Sequence, residues 1–345
     1  MQNQPNDTAA LLAALRAEMR QLMYQGGDWE AFALKVFRFQ CAHNAIYGAY
    51  VRLRGVDPEA VTSTSEAPFL PVPFFQSHWV SVFDEGAIMD RIFESSGTTG
   101  QRCSRHPVDD LGWYDEVAMT GFERCVGAFA GQKIVALLPG YRPESSLIHM
   151  VRTFMQRCGQ QDQSEWFFMD DWSALERQLC TSVEEGYAVL VIGVTHALLK
   201  WAAETKLDQP YPQVQLLETG GMKGYGPERI REEVHLALRP LIAASEIGSE
   251  YGMTELLSQA WSSGHGRFTA PPWMRVRLAS MNDPGALAPH GKQGRICVMD
   301  LANLASCAFI ETSDIGRMHA DGTFEVLGRF DHAEVRGCNL LTVEG

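Results

Sequence analysis

The sequence predicts an α/β fold in which a mainly parallel sheet is flanked by helices and followed by a small β subdomain. Two observations carry that prediction. From Asp109 to about Leu238, apolar runs of strand length alternate with segments of helical period. Past about Trp273 the texture changes to short strands separated by turns.

Taken in order, Leu11, Leu12, Leu15, Met19 and Leu22 recur at helical spacing and predict an opening amphipathic helix. Trp29 to Tyr50 continues in the same manner. Glu66 to Phe75 holds three prolines among apolar residues, which predicts an extended, buried crossing. The step Ser77-His78-Trp79 follows, and a packed, hydrogen-bonded histidine is expected there rather than one facing a site. An apolar run from Ile88 to Phe93 then enters a glycine- and hydroxyl-rich loop. The alternation beyond Asp109 reads as helix Leu111 to Phe129, strand Ile134 to Pro139, helix Ser145 to Met155 and strand Glu165 to Met169. It continues as helix Ser173 to Glu184, strand Ala188 to Val194, helix Thr195 to Glu204, strand Val214 to Leu217, helix Glu228 to Leu238 and strand Ala243 to Ser249. Strands around Val276, Ile296 to Met299, Phe309 to Glu311 and Phe324 to Leu327 complete the small subdomain. The expected division is a core over 1–272, the β subdomain over 273–330 and a tail over 331–345.

A chain of 345 residues can bury a large core. Its net charge of -13 argues against a sequence-independent grip on nucleic acid or anionic lipid, so any bound phosphate has to be met locally. The eight cysteines are scattered, with no C-x-x-C pair and no zinc-like spacing, as suits a reducing cytosol. Met1 to Asp7 lacks the basic start and apolar core of a signal peptide, and no apolar run approaches membrane-spanning length. A cytoplasmic protein is expected.

The loop Ser95-Ser96-Gly97-Thr98-Thr99-Gly100 can hold phosphate. Its glycines permit close backbone approach, and successive N–H groups and hydroxyls can point at anionic oxygens. It is not a Walker loop, because Gly100 is followed by Gln101-Arg102-Cys103 instead of Lys-Ser/Thr. Alone, such a turn is more often an ordinary solvated connection. Three further pieces accompany it: Tyr251-Gly252-Met253-Thr254-Glu255, Ser313-Asp314-Ile315-Gly316 and Leu327-Gly328-Arg329-Phe330-Asp331. Carboxyl ends of parallel strands are where ligands gather in α/β sheets, and both Tyr251 to Glu255 and Glu218 to Gly224 follow predicted strands.

In order and residue type these four pieces resemble the adenylate-forming superfamily of acyl-CoA synthetases, luciferases and adenylation domains. The resemblance implies that fold's N-terminal domain, with ATP and Mg²⁺ as cofactors. It assigns Ser95, Ser96, Gly97, Thr98, Thr99 and Gly100 to phosphate, Thr254 to the α-phosphate, Glu255 to the metal, Asp314 to ribose, and Arg329 to ribose or phosphate. Tyr251 would stack on adenine, and Gly252 after it belongs to the same nucleotide-binding segment. The residue types suit the chemistry. Turning a carboxylate into a mixed anhydride with AMP needs donors and a metal around phosphate rather than a strong base. On the residues alone, Glu255 also reads as a solvated helix-start carboxylate and Asp314 as a turn or cap residue. The Pro-Lys pair that usually ends the family's loop is missing, with Arg102 or Arg105 as stand-ins.

The family's C-terminal lid and its lysine have no counterpart before Gly345. This narrows the resemblance to the acyl-protein synthetases of bioluminescence (LuxE type), also called long-chain-fatty-acid luciferin-component ligases. Pro68-Phe69-Leu70-Pro71, Thr219-Gly220-Gly221 with Lys223-Gly224, and the C-terminal Cys338 carry that likeness. It implies that Cys338 accepts the acyl group from the adenylate and passes it to an acyl reductase partner, the substrate being a carboxylic, by likeness a fatty, acid. Arg336 beside it can lower a thiol pKa. The alternative is a buried apolar cysteine, as expected for the other seven. Rival functions are a ligase that uses a diffusible thiol such as coenzyme A, and a non-catalytic nucleotide-binding module. Trp166-Phe167-Phe168 reads as core; Gly220 to Met222 and His196 stay open between acid pocket and packing, as does Lys223 between phosphate contact and solvated charge.

Overall fold

The computed structural model describes residues 5–96, 102–140, 142–206, 209–220, 230–244, 246–281, 286–289 and 291–330. The chain opens with helices α1 (Pro5–Gln25), α2 (Trp29–His43) and α3 (Ala45–Leu53). The predicted single helix over Trp29 to Tyr50 is therefore two. Asn44 ends the first and caps the second, its side-chain oxygen accepting from the N–H groups of Ile46 and Tyr47. The proline-rich crossing is only partly extended. It consists of a 3₁₀ turn (Thr64–Glu66), strand β1 (Leu70–Pro71) and a single helical turn, α4 (Phe74–Ser77). Pro73 already has helical φ and ψ and so starts that turn. His78 is exposed, with its ring stacked on Phe74 and its Nδ1 2.8 Å from the Ser77 hydroxyl.

Hairpin strands β2 (Arg91–Glu94) and β3 (Arg105–Val108) flank the glycine-rich loop. Next come α5 (Leu111–Cys125), β4 (Gln132–Leu137), α6 (Ser146–Arg157), α7 (Trp172–Glu184), β5 (Ala188–Gly193), α8 (Thr195–Glu204), β6 (Val214–Glu218), α9 (Arg231–Leu238), β7 (Gly248–Tyr251) and β8 (Ala260–Ser262). Strands β4 to β7 are parallel in chain order and β8 closes the sheet antiparallel. The expected strand over Glu165 to Met169 is instead a 3₁₀ turn, Gln163–Trp166, followed by a single bridge from Phe167 to Ala136. Asp162 captures the Ser164 N–H and hydroxyl, so the chain turns where its apolar content suggested a strand. Phe168 is core, and Trp166 and Phe167 pack against it.

The last four strands, β9 (Met274–Ala279), β10 (Gln293–Asp300), β11 (Phe309–Met318) and β12 (Phe324–Arg329), form a second sheet, antiparallel apart from β1, which joins β11 in parallel. The 1–272 segment thus lends the β subdomain a strand. One apolar cluster runs through both: Phe37 of α2 and Tyr47 of α3 pack against Phe309, as does Phe69. Among the described residues, no helix is long and apolar enough to cross a membrane. The described cysteines are all free; burial lifts the Cys41 and Cys297 thiols to about 12, which makes them inert.

Candidate active site

Four chain segments converge where the central sheet meets the second one. Ser95 leaves β2 and pairs with Ser104 through two hydrogen bonds: its N–H donates to the Ser104 carbonyl and its hydroxyl accepts from the Ser104 N–H at 2.9 Å, above the β2–β3 ladder. The two ends of the glycine-rich loop are thereby clamped. Ser96 is exposed; Gly97, Thr98, Thr99 and Gly100 lie outside the described residues. Arg105, one of the two stand-ins for the missing lysine, is turned to Glu85 at 3.2 Å and lies over the Trp79 ring.

Tyr251 ends β7, so it belongs to the strand and not to a loop after it. Its ring is buried edge-on against Phe268 and Phe324, and its hydroxyl donates to Asp314 Oδ2 at 2.9 Å. Asp314 sits mid-strand in β11, opposite Arg329 of β12, whose Nε is 4.0 Å from Oδ1. Burial raises the Asp314 pKa, while the Tyr251 hydroxyl and Arg329 oppose that rise. At Gly252 a Cβ would come within 2.2 Å of Glu250 Oε1 and 3.1 Å of Gln259, so a side chain there would displace the Glu250 carboxylate.

Glu255 is only 4% exposed. Burial pushes its pKa up; the Ser104 hydroxyl and the charge of Arg329 pull it back, and Asp314 adds to the rise. It is therefore not a solvated helix-start residue. Through these contacts Glu255, Asp314, Tyr251, Arg329 and Ser104 form one polar cluster, reached by Ser95 from the loop. The Thr254 carbonyl accepts from His106 Nδ1 at 2.7 Å. Cys338, Met222 and Lys223 lie outside the described residues. Gly220 has φ +74°, a conformation suited to glycine, directly after β6. His196 is the second residue of α8.

The residues that hold this cluster were not visible as motifs. His106 is fully buried; its Nδ1 donates from β3 to the Thr254 carbonyl, and its Nε2 lies 3.2 Å from Asn303 Oδ1, while the Asn303 amide nitrogen donates to the carbonyls of Glu255 and Cys307. Asp300 is also fully buried and accepts from the N–H groups of Leu257, Ser258 and Ala302 and from the Ser258 hydroxyl. These two networks lock both ends of the segment Thr254 to Ser258. Neither His106 nor Asp300 belongs to a spaced pattern; the only sequence signal was a polar residue amid apolar strand residues.

The Glu255 carboxylate beside the Ser104 hydroxyl is an oxygen donor set of the kind a small hard cation takes. Mg²⁺ takes one or two carboxylates and completes its shell with phosphate and water. Among the described residues there is no group of three or more His, Cys, Asp or Glu that could hold a metal ion.

The fold is that of the N-terminal domain of adenylate-forming enzymes. No family model and no curated protein matches the chain. Among solved structures it is similar to 2-hydroxyisobutyryl-CoA ligase in the postadenylation state in complex with R3-HIB-AMP: TM-score 0.61, 12% identity, 88% of this chain and 68% of that one. It is also similar to ATP-bound MatB from Rhodopseudomonas palustris, with TM-score 0.50, 16% identity and 69% of this chain against 48% of that one. O-succinylbenzoate coenzyme A synthetase (MenE) from Bacillus subtilis, in complex with ATP and magnesium ion, gives TM-score 0.51, 15% identity and 70% against 50%. The chain spans about half the length of MatB and MenE.

Proposed function

We propose that this protein activates a carboxylic acid with ATP and transfers the acyl group to its own Cys338. In the first step a carboxylate oxygen attacks the α-phosphorus, the bond to the β-phosphate breaks, and pyrophosphate leaves. In the second the Cys338 thiolate attacks the acyl carbon and AMP leaves, giving a thioester for delivery to an acyl reductase. The observation that carries the reading is the cluster of Tyr251, Glu255, Asp314 and Arg329 beside the clamped mouth of the glycine-rich loop.

In this reading Asp314, oriented by the Tyr251 hydroxyl, accepts from the ribose hydroxyls. Arg329 and Thr254 face phosphate, and the loop N–H groups cradle it. Tyr251 acts through its hydroxyl as well as its ring, because Phe268 and Phe324 already take up much of the ring's surface. Glu255 would hold Mg²⁺, which when bound neutralises charge on the phosphate oxygens. The substrate class follows from the likeness to fatty-acid ligases of the acyl-protein type. Transfer to coenzyme A is the second reading, favoured by the 2-hydroxyisobutyryl-CoA ligase and the coenzyme A synthetase among the structural neighbours.

The test is to incubate the purified chain with ATP, Mg²⁺ and a panel of radiolabelled acids, then run a denaturing gel with and without hydroxylamine, for wild type and Cys338→Ser. Label on the wild-type band that hydroxylamine releases and the variant lacks establishes self-acylation. Pyrophosphate without a labelled band, with label moving to added coenzyme A, favours the second reading. No pyrophosphate with any acid refutes both.

A further inference from the structure

Away from this cluster, a cleft of about 530 Å³ opens between α3, the segment from Ser65 to Pro71 and the strands β9 to β11. That volume suits a small organic molecule. Glu311 of β11 lines the cleft, and none of Tyr251, Glu255, Asp314 and Arg329 does; a shift in the β10–β11 register separates Glu311 from Asp314 along the strand.

Its walls divide chemically. Val56, Phe69, Pro71, Ala279 and Leu287 are apolar, and Leu287 is exposed at the rim. Against them stand three guanidiniums and two carboxylates, a positive balance in a chain of net charge -13. Several of these charges are already committed. Arg277 donates to the carbonyls of Thr64, Ser65 and Ala67 and lies over the Phe69 ring, and Glu66 accepts from the N–H groups of Thr62 and Ser63. Two cations remain for a ligand. Exposed Arg54 reaches Glu311 only through space. Arg295 meets Glu311 through Nη1 alone, at 3.3 Å, with both side chains mostly buried.

The remaining atoms of Arg295 are informative. Nε and Nη2 are buried and have no hydrogen-bond partner. Those two N–H groups form the side-on edge of the guanidinium, the edge that matches the two oxygens of a carboxylate. Buried donors left unpaired are costly and rare in folded proteins, and here both belong to one recognition edge in the wall of a ligand-sized cleft.

We propose that this cleft is a second ligand site, separate from the nucleotide cluster, for a small organic carboxylate with an apolar body. The carboxylate takes the Nε and Nη2 edge of Arg295 with Arg54 closing over it from the rim, and the apolar body lies on Phe69, Pro71 and Leu287. Nε and Nη2 are closed off from solvent where they stand, so the Arg295 guanidinium has to turn, releasing Nη1 from Glu311, for its free edge to meet the ligand.

The experiment is calorimetric titration of the full chain with 6-bromohexanoate, together with bromine anomalous density in crystals soaked with the same compound. The expected result is one bromine site in the cleft and an affinity that falls at least about tenfold in Arg54→Ala and in Leu287→Glu, as loss of one charge-assisted contact or gain of a repulsive one would give. Both residues are exposed, so melting curves should match wild type, and binding in Tyr251→Phe should be unchanged. Bromine located beside Glu218 or Glu255 instead would overturn the proposal by showing a substrate site. So would absence of binding up to about 10 mM, weaker than any useful affinity, or an affinity that neither cleft variant alters.

Discussion

His106 gives the sharpest test of how the cluster is held. Burial pushes its pKa from 6.5 down to about 4, against the opposing pull of the Thr254 and Asn303 oxygens. The ring is therefore neutral in the folded state; both atoms it faces are acceptors, so its one proton sits on Nδ1, donated to the nearer Thr254 carbonyl, and Nε2 makes no hydrogen bond to Asn303 Oδ1. A depressed histidine pKa means that the unfolded chain binds the proton first. Its contribution to stability is complete above the unfolded value of 6.5 and is lost as pH falls towards about 4. Between pH 7 and pH 5 the loss from this one residue comes to about 2 kcal/mol, taking roughly 1.4 kcal/mol for each pH unit inside the window. The assay is guanidinium unfolding of wild type and His106→Gln at both pH values. Other titrating groups cancel in the comparison, so wild type should lose about 2 kcal/mol more than the variant on acidification. Equal pH dependence of the two proteins would refute a neutral, buried His106 bridging the loop strand to Thr254.

Four further outcomes are expected. Tyr251→Phe keeps the packing on Phe268 and Phe324 but removes the bond to Asp314; it should cost about 1 kcal/mol in unfolding experiments and raise the KM for ATP about tenfold in pyrophosphate release, and an unchanged KM would remove Asp314 from the nucleotide site. Asp300→Asn places an amide donor among four donors, so chemical unfolding should show a loss of about 2 to 4 kcal/mol; a loss within the surface range would contradict the network. Gly316→Ala sets a Cβ 2.7 Å from the Glu325 carbonyl and 2.8 Å from Ile296, which should push β12 off β11, cost about 1 to 3 kcal/mol and weaken nucleotide binding by displacing Arg329. Because burial favours the neutral form of Glu255, its proton goes on above the ordinary carboxylate range, and the Mg²⁺ needed for half-maximal pyrophosphate release should climb as pH falls through that window; in Glu255→Gln that climb should be absent.

The alternation of strands and helices was legible because the parallel strands are buried on both faces, and burial writes itself as unbroken apolar runs such as Ile134 to Leu137 and Val189 to Ile192. The misreadings came where a short polar side chain overrules its neighbours. Asn44 splits one predicted helix in two, and Asp162 bends a predicted strand into a turn. The cluster shows the same division. Tyr251, Glu255, Asp314 and Arg329 stand in recognisable runs because each run is a local turn or strand end with its own spacing. His106, Asp300 and Asn303 are isolated letters whose partners in the segment after β7 lie between 42 and 148 residues away. Their value comes from burial without water: a donor or acceptor placed there must find a fixed partner or forfeit its solvation, and that requirement joins the loop strand, the segment after β7 and the end of β10 into one unit. Distance in sequence hides such residues, and the same distance is what lets them tie together segments that no local motif could hold.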